Sequence, residues 1–236
     1  MEKAREFQKE IFLCFVDYSK AFDCVGHTRL WNFLQELGIP KYLIELIKNL
    51  YTNQEATVKT EYGNTDWFNI GKGVRQGCNL SPYLFNIYAE YTMKQAGFEE
   101  TTTGIKVGGR NINNLRYIDA TILMAESAED LRCLLGKLKK ESLAAGLKLN
   151  INKTFVMTTG SMEEFKIGDE ETEIVQDFTF LESRINNDGN CSPEINRPLI
   201  LGRQSMINLD NLMKSRNINM NTSSAMDGQK KKTDPS

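Results

Sequence analysis

An apolar run near the beginning of the chain, IFLCFVD from Ile11 to Asp17, constrains the fold more than any other segment. Its length is that of a strand, and a continuous apolar run of this length is typical of a strand buried in a sheet. The run ends in a carboxylate. The pattern therefore predicts a buried strand whose polar tip is Asp17.

Helix and turn signals follow this strand. Apolar residues at helical spacing predict helices over 28–37 and 41–53. β-Branched and aromatic residues predict two strands over 55–71, joined by a turn at 62–64 that contains a glycine. The first third of the chain is thus expected to combine one buried strand, two helices and a hairpin.

The middle of the chain carries a further helix and a second hairpin. Ser81 as N-cap and Pro82 at the first helical position predict a helix that runs to Gly97. Residues 112–118 and 120–125 predict a hairpin with Asp119 and Ala120 near its tip.

The next segment predicts the last long helix and more strands. Ser127 begins a helix in the manner of a capping box, and Gly146 ends it. A strand region follows over 147–159, and the looser pattern beyond Gly160 predicts short strands. Strands interrupted by helices in this order indicate an α+β fold, a sheet with helices packed on one face.

Composition limits the possible functions. The net charge of −2 and a pI near 5.7 argue mildly against nucleic-acid binding, which usually needs a basic surface. Five scattered cysteines and a single histidine, His27, indicate neither a disulfide framework nor a zinc site. No long apolar run or signal peptide is present, so we expect no membrane segment and an intracellular location, cytoplasmic or nuclear.

Two carboxylates could carry chemistry. Asp17 ends the buried strand and Asp119 lies at a hairpin tip, so the two can meet at one edge of a sheet. Paired carboxylates without nearby histidine or cysteine suit a hard cation such as Mg²⁺, and phosphoryl transfer is the matching reaction class. The spacing alone favours the simpler interpretation, two solvated aspartates at a turn and a strand end.

Four motifs in a fixed order add a family resemblance, and a fifth segment continues it, so that the resemblance covers roughly residues 1 to 220. The chain resembles the reverse transcriptases of LINE-type (non-LTR) retrotransposons. The matching segments are DYSKAFD (17–23), GVRQGCNLSPYLFNIY (73–88), NNLRYIDATILMAES (113–127), AGLKLNINKT (145–154) and FLESRINNDGNCSPEI (180–195).

The resemblance implies an RNA-directed DNA polymerase, a nucleotidyltransferase with a palm-like antiparallel sheet. Asp17 and Asp119 would be catalytic and would bind two Mg²⁺ (or Mn²⁺) ions. The implied partners are an RNA template, a DNA primer and deoxynucleotides.

The resemblance also implies roles for four further residues. Phe22 would be the ring that excludes a 2′-hydroxyl, Gln76 and Gly77 would contact template and nucleotide, and Lys153 would be a general acid near the leaving pyrophosphate. Without the family, Phe22 reads as a core residue, Gln76-Gly77 as an ordinary turn and Lys153 as a solvated lysine.

By the same resemblance, residues 1–160 are expected to form a palm without fingers. Residues 161–216 would form a connection and part of a thumb. The polar segment 217–236 is expected to be disordered.

One departure from the family concerns the metal site. The family's Tyr-x-Asp-Asp motif reads Tyr117-Ile118-Asp119-Ala120 here, so one of two adjacent carboxylates is replaced by a methyl group. The fold tolerates alanine at this turn, whereas the chemistry loses a ligand, so we expect polymerase activity to be impaired. Two alternatives stay open, namely a non-catalytic remnant that binds nucleic acid or a protein, and a decayed retroelement fragment without function.

Overall fold

The computed structural model describes residues 6–168, 170–188 and 206. The described residues up to 188 belong to one compact unit, Met1–Gly189. Its α-helices are α1 (His27–Glu36), α2 (Lys41–Tyr51), α3 (Ser81–Gln95) and α4 (Ala128–Ala144), and 3-10 turns span Ala21–Cys24 and Ile151–Lys153. Its strands are β1 (Phe12–Val16), β2 (Glu55–Ala56), β3 (Lys59–Thr60), β4 (Gly63–Asn64), β5 (Phe68–Asn69), β6 (Ile105–Val107), β7 (Arg110–Ile112), β8 (Asn114–Tyr117), β9 (Ala120–Ala125), β10 (Phe155–Thr158), β11 (Lys166–Ile167), β12 (Glu170–Glu171), β13 (Glu173–Ile174), β14 (Asp177–Phe180) and β15 (Ser183–Asn186).

A five-stranded sheet organises this unit, with strand order β13-β10-β1-β9-β8. Its pairs are antiparallel except β10 with β13. Strand β1 is at the centre, and all five of its residues are buried. The apolar run therefore forms the buried strand that the sequence predicted, because a central strand has neighbours on both edges and packing on both faces.

The two faces of the sheet are covered differently. Alternate residues of β1, Cys14 and Val16 among them, belong to the core that also contains the buried apolar residues of α1, α3 and α4. The intervening residues Leu13 and Phe15 belong to a second cluster. Apolar residues of the β6–β7 and β14–β15 hairpins pack against that second cluster. The predicted α+β class with helices on one face is confirmed, whereas the hairpin cover of the other face was not predicted.

Helix α4 follows the local signals of its sequence. The Asp130 amide donates to Ser127 Oγ at 3.1 Å, which caps the helix, and Gly146 with φ 81° follows its end. Helix α3 differs from the prediction, since its N-cap position is Leu80 and not Ser81. The Ser81 hydroxyl donates instead to the Arg75 carbonyl at 2.6 Å, a loop contact that competes with capping.

The hairpin predicted over 55–71 is present as two short strand pairs, β2 with β5 and β3 with β4, and its turn is shifted. Thr60 pairs with Gly63, so the turn residues are Glu61 and Tyr62, and Gly63 already belongs to β4. The Thr60 hydroxyl accepts from the Tyr62 amide and donates to the Gly63 carbonyl, which holds the turn one residue earlier than predicted.

Two predictions about how the chain is divided stay predictions. The short strands expected after Gly160 are present as β11 to β15, while a division of the chain at residue 160 stays a prediction. Residues 217–236 lie outside the described residues. Within the described ranges, no helix combines the length and apolar character needed to cross a membrane.

Candidate active site

The edge of the sheet where β1 ends brings two of the predicted carboxylates together. Val16, the last residue of β1, pairs with Thr121 of β9. Tyr117 pairs with Ala120 across the β8–β9 hairpin, which leaves Ile118 and Asp119 as its turn residues. Asp17 and Asp119 therefore both lie at this edge, one just after a strand and the other in the adjacent turn.

The pKa of Asp17 is shifted by burial and by two charged neighbours. Burial raises the pKa of the Asp17 carboxyl, the Lys153 ammonium opposes that rise, and the negative charge of Asp119 adds to it. The Tyr18 amide hydrogen bond also lowers this pKa. Three of the predicted site residues, Asp17, Asp119 and Lys153, thus interact electrostatically. The sequence pattern predicted that the two aspartates can meet, whereas Lys153 was linked to them only by the family resemblance.

Ala120 lies beside Asp17 on the sheet. Directly opposed residues of antiparallel strands point to the same face, and continuing the Val16–Thr121 register by one residue sets Asp17 opposite Ala120. Both line a cavity of about 290 Å³ together with Lys153. The Ala120 methyl group therefore occupies the position from which a carboxylate would project toward Asp17.

Aromatic side chains form much of the rest of this cavity. Phe178 of β14 stacks on Phe15 of β1 with ring centroids 4.2 Å apart, and it lies 5.4 Å from Phe155. Phe180 also lines the cavity. The Asp17 carboxylate thus lies next to an apolar wall, which is the physical origin of its desolvation. The family resemblance reached this hairpin, but gave no indication that it covers the face of the sheet beside Asp17.

The turn that carries Asp119 contains an unusual backbone conformation. Ile118 has φ 56°, a region that β-branched residues rarely adopt. Its side chain packs partly against the helix-side core, which compensates part of the cost. The turn is thereby held in the conformation that brings Asp119 to the sheet edge.

A second group of predicted residues is joined through the main chain. The Val74 amide donates to the Phe22 carbonyl, and the Gly73 amide donates to the Val25 carbonyl, each at 2.8 Å. Gly73 has φ 96°, and a side chain there would lie 3.2 Å from the Asp23 backbone. This close approach fastens the loop that leads to Gln76 and Gly77 against the turn that carries Phe22.

Phe22 itself is half-buried, and its ring meets Phe85 edge-on at 5.3 Å. Gln76 and Gly77 are exposed, and Gly77 has φ 80°. The contacts described above link the segment of Phe22 to the loop of Gln76 and Gly77. They do not link any of these three residues directly to Asp17 or Asp119. Their predicted roles stay predictions.

His27 makes a contact that the sequence did not indicate. Its Nε2 lies 2.7 Å from the Gly73 carbonyl, and its ring packs against Trp31 and Tyr51. The sequence argued only against a zinc site at His27, because one histidine without a partner motif gives no signal of a tertiary hydrogen bond. The hydrogen bond from His27 therefore also holds the Gly73 loop in place.

The donor set of the site suits a hard cation with few protein ligands. Asp17 and Asp119 supply carboxylate oxygens, and no cluster of three or more histidine, cysteine, aspartate or glutamate side chains occurs in the part of the chain that the structure describes. Mg²⁺ commonly binds one or two carboxylates and completes its shell with water and substrate phosphates. The residues present are compatible with such an ion.

Comparisons with known proteins agree with this architecture. The family model described as "Reverse transcriptase (RNA-dependent DNA polymerase)" matches residues 1–187. The chain is 31% identical over 156 residues to the Retrovirus-related Pol polyprotein from type-2 retrotransposable element R2DM of Drosophila melanogaster, covering 65% of this chain and 14% of that protein. It is 26% identical over 170 residues to the Pol polyprotein from type-1 retrotransposable element R2 of Nasonia vitripennis, covering 71% and 16%. The chain thus spans a small part of the length of these relatives.

Solved structures of telomerase share the fold. Apo telomerase from Candida tropicalis, truncated from the C-terminal domain, superposes with a TM-score of 0.57 at 19% identity, covering 78% of this chain and 35% of the telomerase. Telomerase from Candida albicans, solved in complex with a TWJ fragment of telomeric RNA, gives 0.58 at 14% identity, covering 80% and 31%. At this identity the likeness concerns the fold alone, and it confirms the predicted palm-like α+β class.

Proposed function

Because the chain belongs to the reverse transcriptase (RNA-dependent DNA polymerase) family, we propose that it is an RNA-directed DNA polymerase whose nucleotidyl-transfer site is impaired by Ala120. Its similarity to the R2 polyproteins assigns it to the LINE-type, non-LTR branch. The observation that carries the proposal is the position of Ala120 opposite Asp17 and next to Asp119.

The proposed substrates are a primed RNA template and deoxynucleotides. Support for a nucleic-acid partner comes from the family and from the telomerase that was solved with RNA. Phe22 is proposed to lie under the sugar of the incoming nucleotide and to exclude a 2′-hydroxyl. Gln76 and Gly77 are proposed to contact template and nucleotide, because their loop is fastened to the Phe22 segment.

Asp17 and Asp119 are the residues proposed to hold Mg²⁺ or Mn²⁺, two ions in the family. Bound divalent ions supply activation of a primer hydroxyl and stabilisation of the charge on the leaving group. Lys153, which lies close enough to Asp17 to lower the pKa of that carboxyl, is proposed to protonate the leaving pyrophosphate. With alanine at 120, the site offers one carboxylate fewer to these ions.

The experiment is primer extension on a homopolymer RNA template with Mg²⁺ or Mn²⁺, comparing the chain with its Ala120→Asp variant. If one metal-ligating carboxylate is the main defect, the variant should be faster by up to roughly a thousandfold, about 4 kcal/mol of transition-state stabilisation. Adding Asp17→Asn to Ala120→Asp is the matched control, and it should abolish the gain.

Equal and measurable rates for the chain and for Ala120→Asp would overturn the assigned impairment. A second candidate function is binding without catalysis, and Ala120 favours it as well. Silence of both proteins in extension, together with salt-dependent binding of the primer–template, would select this non-catalytic module.

A further inference from the structure

A second cavity is lined in part by Ser19, two residues after Asp17. Its volume is about 400 Å³, and its polar lining comes from Ser19, Lys139, Lys148, Asn150, Asn152 and Glu170. None of these residues has a role in the proposed polymerase site.

Backbone hydrogen bonds connect this cavity to Asp17. The Asn150 amide donates to the Asp17 carbonyl at 2.9 Å, and the Ser19 amide donates to the Lys148 carbonyl at 2.8 Å. Two buried side chains, Leu147 and Leu149, stand on the same wall. The wall is therefore held by main-chain pairing and core packing, and it does not depend on flexible surface side chains.

The charge of the cavity is that of an anion site. Lys139 and Lys148 contribute two ammonium groups, and neither forms an ion pair within residues 6–168, 170–188 and 206. Ser19, Asn150 and Asn152 add neutral hydrogen-bond donors, and Glu170 is the one carboxylate of the lining. Uncompensated lysines beside neutral donors fit an anion with several oxygens.

The surrounding sequence strengthens this field. Residues 137–153 contain five lysines and one glutamate, a net charge of +4, whereas the whole chain has −2 and the remainder therefore has −6. Positive charge is thus concentrated on the segment that builds the cavity. Such a concentration raises the local density of polyanions.

We propose that this cavity is a phosphate-binding site that takes either a free polyphosphate such as pyrophosphate or the backbone phosphates of a nucleic-acid strand. Both sources present the same chemistry, tetrahedral phosphates with several anionic oxygens. The site does not depend on catalysis at Asp17, so it is expected even in a chain that extends no primer.

The test is titration calorimetry of the full chain with pyrophosphate in the presence of EDTA at low salt. The variant Lys139→Gln/Lys148→Gln should weaken binding by about tenfold or more, since two charge-assisted contacts are lost. The control Lys137→Gln/Lys140→Gln removes the same charge from exposed positions of helix α4 that do not line the cavity, and it should change the affinity by less than about threefold. Glu170→Gln should strengthen binding.

Competition then separates the two sources. Displacement of pyrophosphate by an oligothymidylate assigns the cavity to strand phosphates, and an unchanged isotherm assigns it to free polyphosphate. Absence of saturable pyrophosphate binding, or equal losses in the two double variants, would overturn the proposal. All the exchanged lysines are surface residues, so a thermal unfolding curve for each variant verifies that it is folded.

Discussion

At the scale of single residues, the ionised Asp17 carboxylate destabilises the folded protein when no cation is bound. Its carboxyl has a raised pKa, chiefly through desolvation, so the folded state disfavours the ionised form. The contribution of this carboxyl to folding stability is fully present below pH 3.8, its pKa in the unfolded chain. This contribution is lost as the pH rises through the higher pKa of the folded state. Asp17→Asn should therefore raise the melting temperature at neutral pH in EDTA, and the gain should vanish in acid.

The same change should weaken Mn²⁺ binding, which a merely structural aspartate would not do. Thermal melts across pH and Mn²⁺ paramagnetic relaxation measure the two effects. Asp66→Asn, in the exposed hairpin before β5, is the control and should change neither property. A lower melting temperature for Asp17→Asn in EDTA would show that the ionised carboxylate stabilises the fold.

Cysteine reactivity provides a second prediction at this scale. The pKa of the Cys78 thiol is lowered, mainly by the Leu80 backbone amide and then by contacts to Ser81. Burial raises the pKa of Cys14 far above its usual range. With iodoacetamide at neutral pH, Cys78 should react faster than the exposed Cys133 of α4, and Cys14 should react only after unfolding.

Peptide mass spectrometry over a time course measures these rates. Ser81→Ala should slow Cys78 while leaving Cys133 unchanged. Equal rates for Cys78 and Cys133 would contradict the assigned role of the Leu80 and Ser81 contacts.

At the scale of elements, the turn of the β14–β15 hairpin is strained. Leu181 and Glu182 have φ 49° and 66°, and the left-handed region costs an ordinary side chain about 1–2 kcal/mol. Asparagine tolerates this region better than leucine. Leu181→Asn should therefore stabilise the hairpin by up to about 1 kcal/mol, seen as slower amide exchange at Phe178 and Phe180.

Leu143→Asn is the matched control, because it replaces an exposed leucine within helix α4. It should be neutral or slightly destabilising, since asparagine has the lower helix propensity. Faster exchange in the hairpin of Leu181→Asn would mean that the leucine side chain contributes more than its backbone costs.

Elements with strong local signals were predicted well from the sequence. Strand β1 followed from its apolar run, and α4 followed from Ser127 and Gly146, because burial and capping are written locally. The β6–β7 hairpin was missed, although Gly108-Gly109 between apolar strands, with φ 57° and 79°, is a recognised hairpin signal. Other features depend on tertiary contacts, such as the parallel pairing of β13 and the Ser81 bond to Arg75, and no local pattern could have indicated them.

The candidate site also combines features that local motifs indicate with features that depend on tertiary contacts. The carboxylates and Ala120 were found by motif, while the register that sets Ala120 opposite Asp17 needed the β1–β9 pairing. The covering hairpin with Phe178 and the His27 bond to Gly73 come from distant segments that fold together. Sequence identified the chemical groups, and the packing determines what surrounds them.

At the scale of the whole molecule, the distribution of charge matters more than its sum. The net charge of −2 argued mildly against nucleic-acid binding, yet residues 137–153 alone have +4. If this segment contacts a primer–template, log K should fall linearly with log salt, with a slope of about −0.9 for each phosphate contacted in duplex DNA. Lys137→Gln/Lys140→Gln should make that slope shallower by up to about 2 units.

Lys41→Gln/Lys94→Gln removes equal charge elsewhere and should leave the slope unchanged, as fluorescence anisotropy over a salt series can measure. Equal changes in both variants would mean that net charge, and not this segment, governs binding.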